Sequence, residues 1–421
     1  MMKRNLISQM LRQWGDNIWL IAGLTIVSIT IWYFAASLYT LTINYFTPLG
    51  YEYEDVFVMS IGRYKEGSPS YVEIEGDAES NNDSDIKEIM RRIRGNPNVV
   101  AAGFSNNGMP FNLTLIGNNI RLLYPHPDSL SYMGNTRQIS PDIAKVLKLQ
   151  SRTGKDFDYL QRRLEAGEIL VSHIDPEKIK ENREYYRFAE ELKGEIICNW
   201  DTTKGYRVAD VINKMRRFSY EDIPDIGDVV YPYDESKILE NVGEIAVRVK
   251  PGRGKAFEDD FRNTPELRSQ RNTYLKSGVK LSQMRKSIER KNDMKARTYL
   301  VVIGFMVIII FIGLLGTFWF RVQQRTGEIA IRRVCGASRG SIFRRLIGEG
   351  AVLLVVATLV AAGVGWFLAF KLNYLENYTV RELLLLEIAT FIVAIIGIAL
   401  SIVAPAWLAM RIEPARAVKD E

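Results

Sequence analysis

The sequence predicts an α+β membrane protein, with four transmembrane helices and a large α+β extracytoplasmic domain inserted between spans 1 and 2. Three observations carry this. Four apolar runs reach membrane length, arginines gather on one set of flanks, and about 250 residues of mixed strand and helix pattern separate the first run from the second.

A bilayer core of about 30 Å needs roughly 20 apolar residues in a helix, because each residue rises about 1.5 Å. Residues 18–46 (Ile18 to Phe46), 298–320 (Thr298 to Phe320), 351–370 (Ala351 to Phe370) and 383–410 (Leu383 to Met410) meet that length, and none carries Lys, Arg or Asp centrally. Glu387 lies about one turn from the outer end of the fourth, where a carboxylate can reach the interface. A cleaved signal peptide has an apolar core of roughly 7–15 residues; the first run is nearly twice that, so an uncleaved anchor is expected. Before it, in a cytoplasmic leader over 1–17, Leu6, Ile7, Met10, Leu11 and Trp14 recur at helical spacing beside Lys3, Arg4 and Arg12. An amphipathic helix in the inner interface and an irregular basic leader both fit that pattern.

Orientation follows from the short flanks. Lys3, Arg4 and Arg12 precede the first run; Arg321, Arg325, Arg332, Arg333, Arg339, Arg344 and Arg345 follow the second; Arg411, Arg416 and Lys419 follow the fourth. The loop 371–382 holds only Lys371 and Arg381, offset by Glu376 and Glu382. Both termini, the segment 321–350 and the tail 411–421 are therefore expected in the cytoplasm, and 47–297 and 371–382 outside. Trp14, Trp19, Trp319, Trp366 and Trp407 near the span ends fit interfacial aromatics. The net charge of +6 is explained by this topology, so no nucleic-acid partner is inferred; the lipid bilayer is the implied surroundings. Cys198 outside and Cys335 inside cannot pair across the bilayer, and the external domain must hold by its core. A bacterial envelope suits that cysteine usage.

Within 47–297, Tyr53 to Ile61 and Tyr71 to Ile74 alternate as strands do. Ile86, Ile89, Met90 and Ile93 share one helix face closed by Gly95 and Pro97, and Val99 to Phe104 reads as the next strand, giving an α+β or split βαβ unit. Further strands are expected at Glu168 to Ser172, Glu195 to Cys198, Tyr206 to Ile212 and Glu244 to Val249, with a short helix at Lys255 to Phe261. Residues 283–297 are strongly charged, lack Gly and Pro, and run directly into the second span. Either a solvated surface helix or a stalk continuing the membrane helix outward fits; the unbroken helical pattern favours the stalk.

Several chemistries are disfavoured. There is no GxxxxGK[ST] loop, and Gly252-Arg253-Gly254-Lys255 lacks both the spacing and the hydroxyl residue that cradling phosphates and Mg²⁺ requires. His126, between Pro125 and Pro127, reads as a loop residue, and His173 follows an apolar strand; neither has metal-ligand spacing or a nucleophile partner. No catalytic residue, metal site or cofactor is assigned to this chain. The sequons at Asn112 and Asn377 matter only in a glycosylating host.

The segment 321–350 holds the most specific pattern. Gly336 permits a bend, Ser338 can cap a new helix, and Ile342, Phe343, Leu346 and Ile347 form an apolar stripe that leaves Arg339, Arg344 and Arg345 more exposed. Arg325-Thr326-Gly327-Glu328-Ile329, then Gly336-Ala337-Ser338, Ile342 and Glu349 resemble the ER-x-x-EIG…A-x-GA-S…I…E signature of MacB/FtsX-like ABC-transporter permeases. The ending Ala404-Pro405-Ala406…Arg411-Ile412-Glu413-Pro414-Ala415-Arg416-Ala417-Val418 resembles that family's C-terminal PA…A-x-x-I-x-P-x-x-AL. Gln324, Ala330 and Val418 depart from it mildly. Outside, Gly154-Lys155-Asp156-Phe157 with Glu168 to Ser172, and Tyr206 to Val211, look like degenerate family elements, with Asp210 where Gly is usual.

The resemblance implies a non-enzymatic permease subunit in a bacterial inner membrane. It would work as a homodimer with a separate cytoplasmic ABC ATPase subunit that binds the ATP and Mg²⁺. The implied role is export of drugs, peptides or lipids and lipoproteins by movement of the external domain, alone or with a periplasmic adaptor or substrate-delivery protein. The ATPase-coupling interface implied is Arg325, Glu328, Arg332, Gly336, Ser338, Ile342, Phe343, Arg345 and Glu349; Glu328 and Arg332 would pair within their helix or across the interface. Close helix packing is expected at Gly313, Gly316, Ala361, Gly365 and Gly397, and a kink at Pro405. An FtsX-like signalling subunit activating a cell-wall hydrolase is the alternative, disfavoured by the size of the external domain, and a membrane-anchored enzyme lacks its constellation of catalytic residues.

Overall fold

The computed structural model describes residues 14–73, 78–106, 108–111, 119–122, 132–174, 188–198, 205–220, 227–233, 243–276, 278–371 and 380–411. The leader before Trp14, His126, both sequons and the tail after Arg411 lie outside them. The chain divides into two compact units, Ile43–Lys291 and Met1–Thr42 with Asn292–Glu421.

The Ile43–Lys291 unit is built on one mixed sheet. Its strands are β1 (Val56–Arg63), β2 (Val99–Asn106), β3 (Asn119–Leu122), β4 (Tyr132–Ile139), β5 (Ile169–Ser172), β6 (Ile196–Cys198), β7 (Gly205–Ile212), β8 (Gly227–Pro232), β9 (Glu244–Val249), β10 (Ser269–Gln270), β11 (Thr273–Leu275) and β12 (Val279–Lys280). The order is β10-β11-β1-β9-β2-β4-β8-β5-β7-β6, with β12 on β1 and β3 on β4. Most neighbours are antiparallel; β4 with β8 and β5 with β7 are parallel. The centre is pinned by Phe57 opposite Val247 and Val247 opposite Ala102.

Side chains alternate across a strand, and in β1 both sides are apolar because both faces of the sheet are covered. Phe57 and Met59 face Ile86, Ile89, Met90 and Ile93 of helix α2 (Ala78–Gly95), whose 3–4 spacing the sequence displays. Phe257 and Phe261, from a later short helix (Gly254–Asn263), complete that core. Val56 and Val58 face the other way, against Ile143 and Val146 of helix α3 (Ile143–Val146) and Leu160 and Leu164 of α4 (Phe157–Glu165). The short helix Gly254–Asn263 is α5. A third core joins Tyr132, Ile169, Val171, Val208, Val211 and Val229.

The expected strand at Tyr71 to Ile74 is corrected for its described part: 71–73 form no strand. The Asn272 side chain takes the place of a ladder, accepting from the Val72 amide at 2.8 Å and donating to its carbonyl at 2.7 Å. Asp210, fully buried on β7, accepts from Lys193 Nζ at 2.7 Å, Ser151 Oγ at 2.6 Å and Thr153 Oγ1 at 2.8 Å. A glycine here would leave those donors without this acceptor. Burial pushes the Asp210 carboxyl up, but these donors outweigh it and its pKa lies below the ordinary value.

Among the described residues, the other unit holds four long helices and one short one. They are α1 (Trp14–Phe46), α6 (Leu281–Gln324), α7 (Thr326–Val334), α8 (Arg339–Lys371) and α9 (Val380–Arg411), the ends of α1 and α6 belonging to the sheet unit. Three described helices are long and apolar enough to cross a membrane, within Ile18–Phe46, Leu281–Gln324 and Arg339–Phe367. The helix α9 spans 32 residues and continues through Pro405. The helix α6 runs over 44 residues and takes in both the charged segment 283–297 and the second apolar run. Leu24 and Ile31 of α1, Leu314 and Phe318 of α6, Leu354 and Ala357 of α8 and Ala394 of α9 pack as one core. Ala361 is buried, Gly365 lies against the Trp32 indole and Gly397 against Ile310, whereas Gly313 and Gly316 meet open space. Ile308, Ile312, Leu359 and Ile396 are exposed and give these helices an apolar outer surface.

Candidate coupling site

The segment 321–350 folds as a helical elbow. The helix α6 ends at Gln324, where Thr326 Oγ1 donates to the Gln323 carbonyl at 2.7 Å, and α7 starts after a single residue. The far end of α7 closes as a Schellman turn: Gly336 adopts φ +93°, and the Ala337 amide donates to the Arg332 carbonyl at 2.9 Å. Glycine takes that φ at little cost, which is why it stands there. Ser338 then caps α8, its hydroxyl accepting from the Ser341 amide at 3.2 Å.

Charges brace this elbow from within. Arg325 Nη1 donates to Glu349 Oε2 at 3.0 Å, Arg345 Nε stands 3.6 Å from Glu349 Oε1, and Glu349 is buried. The three residues thus tie the end of α6 to the first turns of α8. Glu328 and Arg332 pair within α7 at 2.5 Å, on a half-exposed face. The nine interface residues named from sequence are therefore adjacent, but they do not all face outward.

The apolar stripe is the main difference from the sequence expectation. Ile342 is 6% exposed and packs with Phe318, Val322 and Ile329, while Phe343 and Ile347 lie against the same core. The elbow folds the start of α8 onto the end of α6, so the stripe is consumed by the chain's own packing. On α7, Ile329 and Ala330 turn inward, leaving Ile331 at 57% and Val334 at 69% exposed. Their spacing of three marks one helix face, a signal present in the sequence and overlooked beside the longer stripe.

Chemistry elsewhere is sparse. His173 Nδ1 lies 2.6 Å from Glu190 Oε1, a half-exposed pair on the sheet unit that Arg152 also joins at 3.3 Å. Among the described residues no group of His, Cys, Asp or Glu is arranged to hold a metal ion.

Residues 300–414 match the model of the FtsX-like permease C-terminal family. Among solved structures, the extracellular domain of the noncanonic ABC-type transporter YknZ from Gram-positive bacteria is similar at 12% identity. It covers 52% of this chain and 99% of its own, with a TM-score of 0.30. A search of curated proteins finds no match.

Proposed function

We propose that this chain couples ATP hydrolysis by a separate cytoplasmic ABC ATPase subunit to movement of its sheet unit outside the membrane. The work done is the export of a drug, peptide, lipid or lipoprotein. The observation that carries this reading is the pair Ile331 and Val334, exposed on a short helix whose opposite face is buried and whose ends are fixed by Gly336 and by the Arg325–Glu349–Arg345 brace. An exposed apolar pair on α7, followed on α8 by exposed Arg339 and Arg344, suits a protein partner, because apolar surface supplies affinity and exposed basic groups supply orientation. The ATPase therefore seats on α7, and Ile342 supports α7 from behind.

In this reading the chain supplies no nucleotide site and no catalytic group. All four long helices cross the inner membrane, with both termini and the elbow in the cytoplasm and residues 47–297 outside. The helix α6 carries displacement of the elbow outward. Two copies assemble, and the open faces at Gly313 and Gly316 support close helix contact between them. The test is assembly with the ATPase subunit in detergent. Ile331→Asp should weaken it at least about tenfold, or about 1.4 kcal/mol, while leaving insertion intact. Unchanged assembly would refute α7 as the seat.

A further inference from the structure

The strongest unassigned feature is a buried set of charges in the sheet unit, where three stretches far apart in sequence meet. They are the outer end of α1, the loop Met215–Tyr220 after β7, and the first turns of α6. Arg216 is among the most completely buried large side chains, at 1% exposure. Its Nη1 donates to the carbonyls of Asn44 at 2.6 Å and Thr47 at 3.0 Å, and its Nη2 to that of Ser219 at 2.9 Å. The last carbonyls of a helix have no partner in the helix itself and carry the negative end of its dipole. A guanidinium answers both needs, so Arg216 ties the loop to the end of α1.

The same loop is held from the other side by α6. The Ser219 amide donates to Glu289 Oε1 at 2.6 Å, and Arg285 Nε donates to Glu289 Oε2 at 2.9 Å. The Arg285 guanidinium also lies over the rings of Tyr45, 5.0 Å away, and Tyr53, 4.7 Å away, and bonds to the Tyr53 hydroxyl. Tyr45 in turn packs on Tyr220 at 5.3 Å between ring centroids. The Tyr51 hydroxyl donates to the Arg216 carbonyl at 2.9 Å, and Arg137 Nη2 to that of Met215 at 2.6 Å, which anchors the loop in the sheet. Two membrane helices and the sheet are thus fastened at one loop. Arg216, Arg137 and Glu289 are buried and Arg285 half-buried here, and buried charges are costly unless they are answered.

We propose that the loop Met215–Tyr220 is a buckle, with Arg216 and Glu289 as positioning residues that hold the outer end of α1 and the first turns of α6 in one body, so that they move the sheet together. The buckle itself stands on the contacts above; that it moves with nucleotide rests on the permease reading.

The test is a spin-label distance measurement on the full chain in nanodiscs with its ATPase subunit. Labels go on Phe46→Cys and Ser287→Cys, both exposed, with Cys198 and Cys335 replaced by serine. The otherwise native chain should give one narrow distance, the same without nucleotide and with the ATPase trapped by ADP and vanadate. Arg216→Gln should broaden it severalfold while assembly with the ATPase stays unchanged. Glu289→Gln keeps an acceptor for the Ser219 amide but loses the charge facing Arg285, and should broaden it less; it also serves if Arg216→Gln fails to fold. A distance that shifts with nucleotide in the otherwise native chain, or one that both variants leave narrow, would overturn the buckle. Broadening by Arg216→Gln in a chain that binds no ATPase would support the buckle and refute the permease reading instead.

Discussion

At the scale of single residues, the consequential groups are buried charges that the sequence did not mark. Asp228 is fully buried and takes Arg137 Nε at 2.9 Å, the Met215 amide at 3.1 Å and Lys214 Nζ at 3.3 Å. Burial raises its pKa, but Arg137 and Lys214 prevail and hold it below the ordinary carboxylate value. A carboxyl depressed in the folded state adds stability above its unfolded pKa of about 3.9 and loses it as pH falls through the lower folded value. The sheet unit should therefore keep this contribution down to about pH 4 and lose it progressively below that. Asp228→Asn leaves Arg137 buried without its counter-charge and should cost roughly 3–5 kcal/mol, read as faster hydrogen exchange in β4 and β8; the variant should also lose that acid dependence. Exchange unchanged from the native chain would contradict the structural role. Gly336→Val places a β-branched residue at φ +93° and should cost about 1–2 kcal/mol in the turn after α7, seen as weaker ATPase assembly with insertion preserved.

At the scale of elements, apolar spacing was a sound guide wherever one face decides burial. Ile86, Ile89, Met90 and Ile93 all reach the core, and the strands at 99–104, 206–212 and 244–249 stand within a residue or two of where alternation puts them. The strands β4 and β8 escaped notice because Arg137 and Asp228 interrupt their patterns, and the reason for those charges is a tertiary ion pair. Residues 71–73 misled because a side-chain amide can satisfy a backbone as well as a ladder does. The stripe at Ile342 was legible as an apolar face, but period alone does not say whether a partner or the same chain covers it. That distinction yields opposed phenotypes. Ile342→Asp should destabilise the helix bundle by roughly 3–5 kcal/mol and lower the yield of inserted protein. Val334→Asp, on an exposed face, should leave yield within error and impair ATPase assembly. If both variants gave stable protein with normal assembly, neither face would be the seat.

For the whole molecule, the lengths of the apolar runs were enough to mark helices able to cross a membrane, and the motif around Gly336 lies in the region that matches the FtsX-like permease model. The way α1, the 215–220 loop and α6 are fastened was not readable, since its residues lie about 170 and 70 positions apart and share no pattern. Topology is testable with single-cysteine probes: Asp83→Cys should react with an impermeant thiol reagent on intact spheroplasts, and Arg339→Cys only after the membrane is opened. The central claim, that a chain without a nucleotide site is driven by an ATPase seated on α7, is tested most directly by ATP turnover in proteoliposomes. The native chain alone should show none above background, and turnover should appear on adding the ATPase subunit and fall at least about tenfold with Ile331→Asp. Hydrolysis by the rigorously pure chain, or full turnover with Ile331→Asp, would contradict it.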